Sequence, residues 1–153
     1  MTNSRKIELG SRDANFGNWI PYTWVEPGLG AQVKGEFAII RTGSTSGTHQ
    51  AGLWRSGAGL PGCDEGGSCV FDCSAQDADE VCLVIEGGAT VTVKSTSVQF
   101  KLRPGSIFIQ PKGLPVRWTI RGPSFKKLWV RWHSPRAITP SDVLFVGHVD
   151  DDS

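Results

Sequence analysis

The reactive side chains that stand out in this sequence are four cysteines and one glutamate, all between positions 63 and 82. They are Cys63, Cys69, Cys73, Cys82 and Glu80. The cysteine spacings lack the paired C-x-x-C form that is typical of zinc sites. Either a Cys63–Cys69 or a Cys69–Cys73 disulfide is compatible with the sequence. Because the N-terminal segment has no apolar signal core, we expect a cytoplasmic protein with reduced thiols.

Glu80 is the most informative of these residues, because it lies in a largely apolar run, EVCLVI. A carboxylate on the inner face of such a strand would be poorly solvated, which would suit general acid or base chemistry near neutral pH. The other interpretation is a structural ion pair with Arg55 or Arg117. Cys73 is a candidate nucleophile, although a buried cysteine is more often inert. Arg55 could orient a carboxylate or phosphate with its planar guanidinium.

The elements that must position these residues are short strands. No long amphipathic helix is present, and apolar or alternating runs recur about every ten residues between Gly and Pro turns, a pattern typical of an all-β sandwich or barrel. The runs span residues 36–41, 51–55, 80–85, 89–94, 98–102, 107–110, 116–120 and 127–132. We predict an irregular N-terminal arm at 1–34, a barrel at 35–133, and a tail at 134–153. The tail is expected to be partly packed, with an edge strand near 143–146 and a disordered end.

Length and charge exclude several classes of protein. A chain of 153 residues predicts one domain. Sixteen Lys and Arg against fifteen Asp and Glu give a net charge of +1, which argues against a nucleic-acid partner. No apolar run approaches the roughly 18 residues of a membrane-spanning helix, so we expect no membrane partner either.

Two spacings in the chain resemble the two sequence motifs of the cupin superfamily. The first is Gly67-x5-Cys73-x-Ala75-x4-Glu80-x6-Gly87, and the second is Gly105-x5-Pro111-x-Gly113-x2-Val116. With Gly52-Leu53-Trp54 before them, the likeness covers roughly residues 35–132. It is similar to the small single-domain cupins of the ureidoglycine aminohydrolase and ethanolamine-utilisation type. The resemblance implies a jelly roll, or double-stranded β-helix barrel, and a homodimer.

The resemblance also draws attention to missing metal ligands. Metal-binding cupins supply two His and a Glu from the first motif and a His from the second, and those positions here are Cys73, Ala75, Glu80 and Val116. Ala and Val cannot bind a metal, so we expect neither metal nor cofactor. A metal-dependent cupin with rearranged ligands, completed by His49 or His133, is the less favoured alternative.

Alternation along the strands predicts which side chains face the inside of the barrel. If Glu80 points inward, so does Cys82, and the second motif would place Val116 and Trp118 inside. The expected ligand-binding set is Trp54, Cys82, Phe108, Val116, Trp118, Trp132 and His133.

Two functions follow from an apolar, aromatic cavity with few polar groups. One is an enzyme acting on a small planar or carboxylated metabolite by dehydration, isomerisation, lyase or hydrolase chemistry, with catalytic residues Glu80, Cys73 and Arg55. The other is a non-catalytic binding or accessory protein.

Overall fold

The computed structural model describes residues 18–41, 49–74, 76–133 and 145–148, and every regular element within them is a β-strand. Eleven strands follow one another along this part of the chain. They are β1 (Ile20–Glu26), β2 (Gly30–Arg41), β3 (His49–Gly57), β4 (Cys69–Cys73), β5 (Asp79–Glu86), β6 (Ala89–Val93), β7 (Gln99–Leu102), β8 (Ser106–Gln110), β9 (Val116–Ile120), β10 (Ser124–Trp132) and β11 (Phe145–His148). The described residues contain no helix that could cross a membrane.

The strands form two antiparallel sheets that enclose one core. The larger sheet has the order β1-β2-β3-β10-β5-β8-β11, and the smaller has the order β4-β9-β6-β7. Side chains alternate between core and solvent along each strand; on β9, Val116, Trp118 and Ile120 are all buried, whereas Arg117 is exposed. The fold is therefore an all-β jelly roll, as the sequence predicts.

All eight predicted strand runs fall on observed strands, and the edge strand predicted near 143–146 corresponds to β11. The N-terminal arm is more regular than predicted from residue 20 onward, since β1 and the first part of β2 form an antiparallel hairpin that extends the larger sheet. Residues 1–17 and most of the predicted tail lie outside the described residues. The homodimer stays a prediction, which the molar mass in solution would test.

The four cysteines are all free thiols in the structure, so neither of the two compatible disulfides is formed. Cys69 and Cys82 are buried, and Cys63 and Cys73 are partly exposed. Burial, followed by the neighbouring Cys63, raises the pKa of the Cys69 thiol to about 12. These cysteines therefore contribute to the core mainly as small apolar side chains.

Two motif glycines provide a matched test of the fold. Gly87 and Gly113 both have positive φ, +75° and +72°. A Cβ at Gly87 would overlap the Ser124 carbonyl oxygen, whereas a Cβ at Gly113 would have nothing within 4 Å. We expect Gly113→Ala to reduce the free energy of unfolding by about 1–2 kcal/mol through backbone strain alone. Gly87→Ala should cost about 1–3 kcal/mol more, because the backbone must also move. Urea denaturation of both variants measures the difference, and equal losses would show that the turn at Gly87 is not tightly packed.

Candidate functional site

A cavity of about 260 Å³ lies between the two sheets. Its aromatic walls are Tyr22, Phe37, Trp54, Phe71, Trp118 and Trp129, and its polar lining residues are Gln50, Cys73, Gln76, Glu80, Gln110, Lys127 and Arg131. Ile39 completes the lining. The volume is slightly below the usual range for ligand sites, and the mixture of apolar walls with a few polar groups is typical of small-molecule pockets.

One row of polar side chains crosses four strands of the larger sheet. Gln50 on β3 pairs with Arg131 on β10, Arg131 pairs with Glu80 on β5, and Glu80 pairs with Gln110 on β8. All four line the cavity. Residues directly opposite each other on neighbouring strands have Cβ atoms only about 5 Å apart. Strand register therefore gathers these polar groups on one side of the cavity, although they are far apart in sequence.

The neighbouring row is apolar and gives the cavity part of its wall. Trp129 on β10 lies opposite Gly52 on β3 and Cys82 on β5. A Cβ at Gly52 would collide with the indole of Trp129, so the glycine provides the space that this ring occupies. Trp129 is 7% exposed and faces the cavity. In the Gly-x-Trp segment, Gly52 thus leaves room for the Trp129 ring, and Trp54 forms another part of the cavity wall.

A buried ion pair lies at the centre of the site. Lys127 Nζ donates a hydrogen bond to Glu80 Oε1 over 2.7 Å, and the two side chains are only 10% and 14% exposed. The ammonium also lies 4.4 Å from the ring centroid of Trp118, within cation–π range. Burial is the largest single effect on the pKa of Lys127 and lowers it, but the Glu80 carboxylate together with the neighbouring Cys82 and Cys73 raises the pKa above its ordinary value. Lys127 is therefore an ammonium at neutral pH, a donor rather than an amine nucleophile.

Gln110 connects the second motif to the first. Its Nε2 approaches Cys73 Sγ at 3.7 Å and the Leu114 carbonyl oxygen at 3.5 Å, and its Oε1 accepts from Trp118 Nε1 at 3.5 Å. The Cys73 thiol in turn donates to Gln76 Oε1 at 3.6 Å. Cys73 is thus held in a network of weak contacts at the cavity wall.

Burial and the Glu80 carboxylate raise the pKa of two further lining groups. For Cys73 both effects act together, burial being the larger, and the pKa is raised to about 11. For Tyr22 the same two causes, again led by burial, raise the pKa to about 12. Both groups are therefore protonated at neutral pH. The thiol lacks the ionisation that a cysteine nucleophile needs.

Four residues of the predicted site come together in the cavity, namely Trp54, Cys73, Glu80 and Trp118. Cys82, Phe108 and Val116 are buried in the core beside it. The remaining three lie outside the cavity: Arg55, Trp132 and His133. Arg55 pairs with Glu36 at 2.7 Å and lies 4.1 Å from the ring centroid of Trp19. His133 is exposed, with Nδ1 3.2 Å from the Asp77 carbonyl oxygen.

The predicted site lacks ten of the fourteen lining residues, among them Lys127, Tyr22, Gln76 and Gln110. Lys127 could have been found, because it shares strand parity with His133, a residue of the predicted ligand-binding set. Arg117, a suggested partner for Glu80, instead pairs with Asp72 at 2.7 Å on the smaller sheet. Gln76 lies in a loop, where alternation gives no direction.

The residues at the cupin ligand positions do not fit a metal ion. Val116 is a fully buried alkyl side chain with no donor atom, and the Glu80 carboxylate is neutralised by the Lys127 ammonium. A metal ion bound to Glu80 would have to displace or repel that ammonium. Among the described residues, no three His, Cys, Asp or Glu side chains cluster closely enough to hold a metal.

Alkylation of Cys73 provides a direct test of these electrostatics. With a pKa of about 11, roughly one thiol in a thousand is ionised at pH 8, so iodoacetamide should modify Cys73 slowly. Peptide mapping should show the rate rising about tenfold per pH unit between pH 8 and 10. Glu80→Gln should accelerate modification at pH 8, because the carboxylate raises the pKa of Cys73, and Lys127→Met should slow it.

The opposite signs of these two effects separate electrostatics from loosened packing. Both substitutions disturb the same ion pair, so faster modification of both variants would mean that opening of the fold controls access to Cys73. Glu36→Gln is the matched control, because Glu36 pairs with Arg55 outside the cavity. It should leave the rate unchanged.

Residues 62–129 match the family model of the EutQ-like cupin domain. None of the curated protein sequences matches this chain. A structural match is the cupin domain of Cnp3 from Schizosaccharomyces pombe, with a TM-score of 0.51, 14% identity, and coverage of 76% of this chain and 88% of that chain.

Two further solved structures are similar. Vicilin from hazelnut, Corylus avellana, has a TM-score of 0.53 and 15% identity, over 77% of this chain and 32% of that chain. A putative ethanolamine utilization protein Q from Salmonella typhimurium LT2 has a TM-score of 0.47 and 14% identity, over 75% of this chain and 95% of that chain. The Cnp3 and vicilin matches have the higher TM-scores, and with the matched family model they confirm the cupin fold predicted from the two motif spacings.

Proposed function

We propose that this cupin-type chain binds a small planar metabolite in its cavity without a metal ion, and that Glu80 performs acid or base chemistry on it. The observation that carries this proposal is the Lys127–Glu80 ion pair, 2.7 Å between Nζ and Oε1, set among aromatic walls. A buried ion pair is a costly arrangement for stability alone, because well-packed apolar residues often serve as well. Its placement against a cavity favours a role in binding or chemistry.

The pair contains the two groups that proton abstraction next to a carbonyl needs. Lys127 holds Glu80 by Oε1, and Oε2 makes no hydrogen bond to the described residues. Oε2 is thus available to remove a C–H proton while the electron pair of that bond moves onto the substrate's carbonyl oxygen. The Lys127 ammonium is placed to donate a hydrogen bond to that oxygen as negative charge develops. Return of the proton to another carbon gives isomerisation. Where the substrate carries a β-hydroxyl, that hydroxyl takes the proton from Glu80 and leaves as water while the enolate electrons form the new C=C bond, which gives dehydration.

The aromatic walls support a planar ligand. The Phe71 and Trp118 rings are nearly parallel, at 7°, with centroids 6.3 Å apart, and Trp54 lies 5.6 Å from Phe71. Flat rings of this kind offer stacking surfaces for a flat ligand and exclude water from the ion pair. Exclusion of water in turn strengthens the electrostatic interactions on which the proposed step depends.

A ligand screen read out on the tryptophan indoles tests the proposal. Metal-stripped protein labelled with ¹⁵N is titrated with small planar metabolites. A ligand in the cavity should shift the Nε1–H signals of Trp54, Trp118 and Trp129, whereas Trp19 and Trp132, which do not line it, are internal controls. Binding hits are then incubated with the protein and followed by NMR for product. Shifts confined to the controls would place binding elsewhere, and binding without any turnover would support the non-catalytic alternative.

A further inference from the structure

The cavity lining carries more positive than negative charge. Its charged members are Lys127, Arg131 and Glu80. Lys127 and Glu80 neutralise each other at 2.7 Å, which leaves Arg131. The ion-pair partner of Arg131 is Asp77, whose side chain is 68% exposed, whereas that of Arg131 is 25% exposed. Solvent screens the exposed carboxylate, so the guanidinium is only partly compensated on the cavity side.

The lining also contains a hydrogen-bond donor without an acceptor. Gln76 Nε2 is buried and has no partner among the described residues. The amide oxygen of the same side chain accepts a hydrogen bond from the Cys73 thiol. Most buried polar groups in folded proteins have a partner. Rotation of the Gln76 amide towards the cavity would let Nε2 donate to an acceptor on a bound molecule.

Asp77 links these two features. The Arg131 guanidinium donates to Asp77 Oδ1 at 2.7 Å, and Asp77 follows Gln76 directly in the chain. Arg131 and Gln76 both line the cavity. A guanidinium and an amide N–H on one side of a site form a suitable pair of donors for a carboxylate, whose two oxygens accept in parallel.

We infer that the cavity selects planar monoanions, that is, aromatic or similarly flat carboxylates. The carboxylate accepts hydrogen bonds from Arg131 and Gln76, and the ring lies between the aromatic walls near the Lys127–Glu80 pair. This inference rests on the proposed function, because it names the ligand class of the same cavity. It goes beyond that function by requiring both planarity and a single negative charge, and by assigning the anion to one end.

Four probes of similar size test the inference. Benzoate, benzamide and benzamidine share one flat shape and differ in charge, and cyclohexanecarboxylate keeps the charge without the flat ring. At constant ionic strength we expect benzoate to bind about tenfold more tightly than benzamide, and benzamidine to bind least. Cyclohexanecarboxylate should bind about tenfold more weakly than benzoate, because it cannot stack. Titration calorimetry measures all four dissociation constants.

Matched arginine variants locate the anion. Arg131→Met should weaken benzoate binding about tenfold and change benzamide binding less than about twofold. Arg117→Met is the control, because Arg117 pairs with Asp72 outside the cavity, and it should change neither. Circular dichroism confirms that both variants fold. If Arg131→Met lowers the affinity for benzamide as much as for benzoate, the carboxylate end is assigned wrongly.

The outcomes separate this inference from the proposed function. Equal affinities for benzoate, benzamide and benzamidine, or a preference for the cation, would overturn the inference and leave a planar-ligand cavity intact. If none of the four probes binds, the inference is wrong, and the proposed function then depends on neutral planar compounds in the wider screen. A tight, ring-dependent preference for benzoate that Arg131→Met removes supports both.

Discussion

Replacement of Lys127 by Met is expected to lower the free energy of unfolding by about 3–5 kcal/mol, the usual cost of removing one partner of a buried ion pair. The Lys127 side chain is 10% exposed, and its ammonium is the hydrogen-bond donor to Glu80. Met retains most of the volume and the contact with the Trp118 ring. The loss therefore comes mainly from a carboxylate left without a counter-charge in an apolar site. Urea denaturation at neutral pH measures it.

Two further variants make this prediction specific. Lys126→Met alters the adjacent residue of β10, whose ammonium lies 3.9 Å from Glu86, a half-exposed carboxylate. It should cost less than about 1 kcal/mol. The double variant Lys127→Met/Glu80→Gln removes both charges and should recover most of the stability lost in Lys127→Met. If Lys127→Met is as mild as Lys126→Met, or the double variant is no more stable than the single one, the ion pair is not buried as described.

Replacement of Glu80 by Gln is expected to reduce turnover of a substrate found in the screen by about 10²–10⁴-fold, the usual contribution of a general acid or base. Gln has nearly the same shape and can still accept a hydrogen bond from Lys127, but it cannot take up a proton. Because the proposed ligand contacts are with other residues, the dissociation constant of that substrate should change much less than the rate of its turnover. Initial rates and calorimetric titration of the same preparation measure the two effects separately.

The matched control for this variant is Glu36→Gln. Glu36 is a partly buried carboxylate that pairs with Arg55 outside the cavity, so its loss should leave turnover within about twofold of wild type. Because Glu80→Gln leaves the Lys127 ammonium unpaired, circular dichroism must confirm that the assayed variant is folded. Full activity of a folded Glu80→Gln protein would remove Glu80 from the chemistry and leave a binding function.

The local pattern of the sequence was sufficient to predict most of the sheet structure. Runs such as IFIQ and VRWTI alternate with the period of a strand, and they form β8 and β9 within one residue of the predicted bounds. β1 was missed because Pro21 and two aromatics interrupt its alternation, and its strand geometry comes from pairing with β2. β4, CVFDC, was missed because a run this short shows too little alternation, and its strand geometry comes from pairing with β9.

The site was predicted less completely for a physical reason. Parity along a strand decides which face a side chain occupies, and it correctly paired Val116 with Trp118. It does not decide the register between strands, which brings Arg131 opposite Glu80. Nor does it show that a long side chain such as Lys127 reaches diagonally to Glu80. The sequence analysis therefore identified the central carboxylate but chose arginines as its partner, where the structure has a lysine.

We expect the Lys127–Glu80 pair to serve the cavity in place of a metal. Ligand affinity of chelator-treated protein, measured before and after addition of Mn²⁺, Fe²⁺, Ni²⁺ or Zn²⁺, tests it most directly, with metal content determined on the same samples. We expect substoichiometric metal throughout and dissociation constants that change less than about twofold. Stoichiometric metal that Glu80→Ala abolishes, or ligand binding that appears only after a metal is added, would contradict the account.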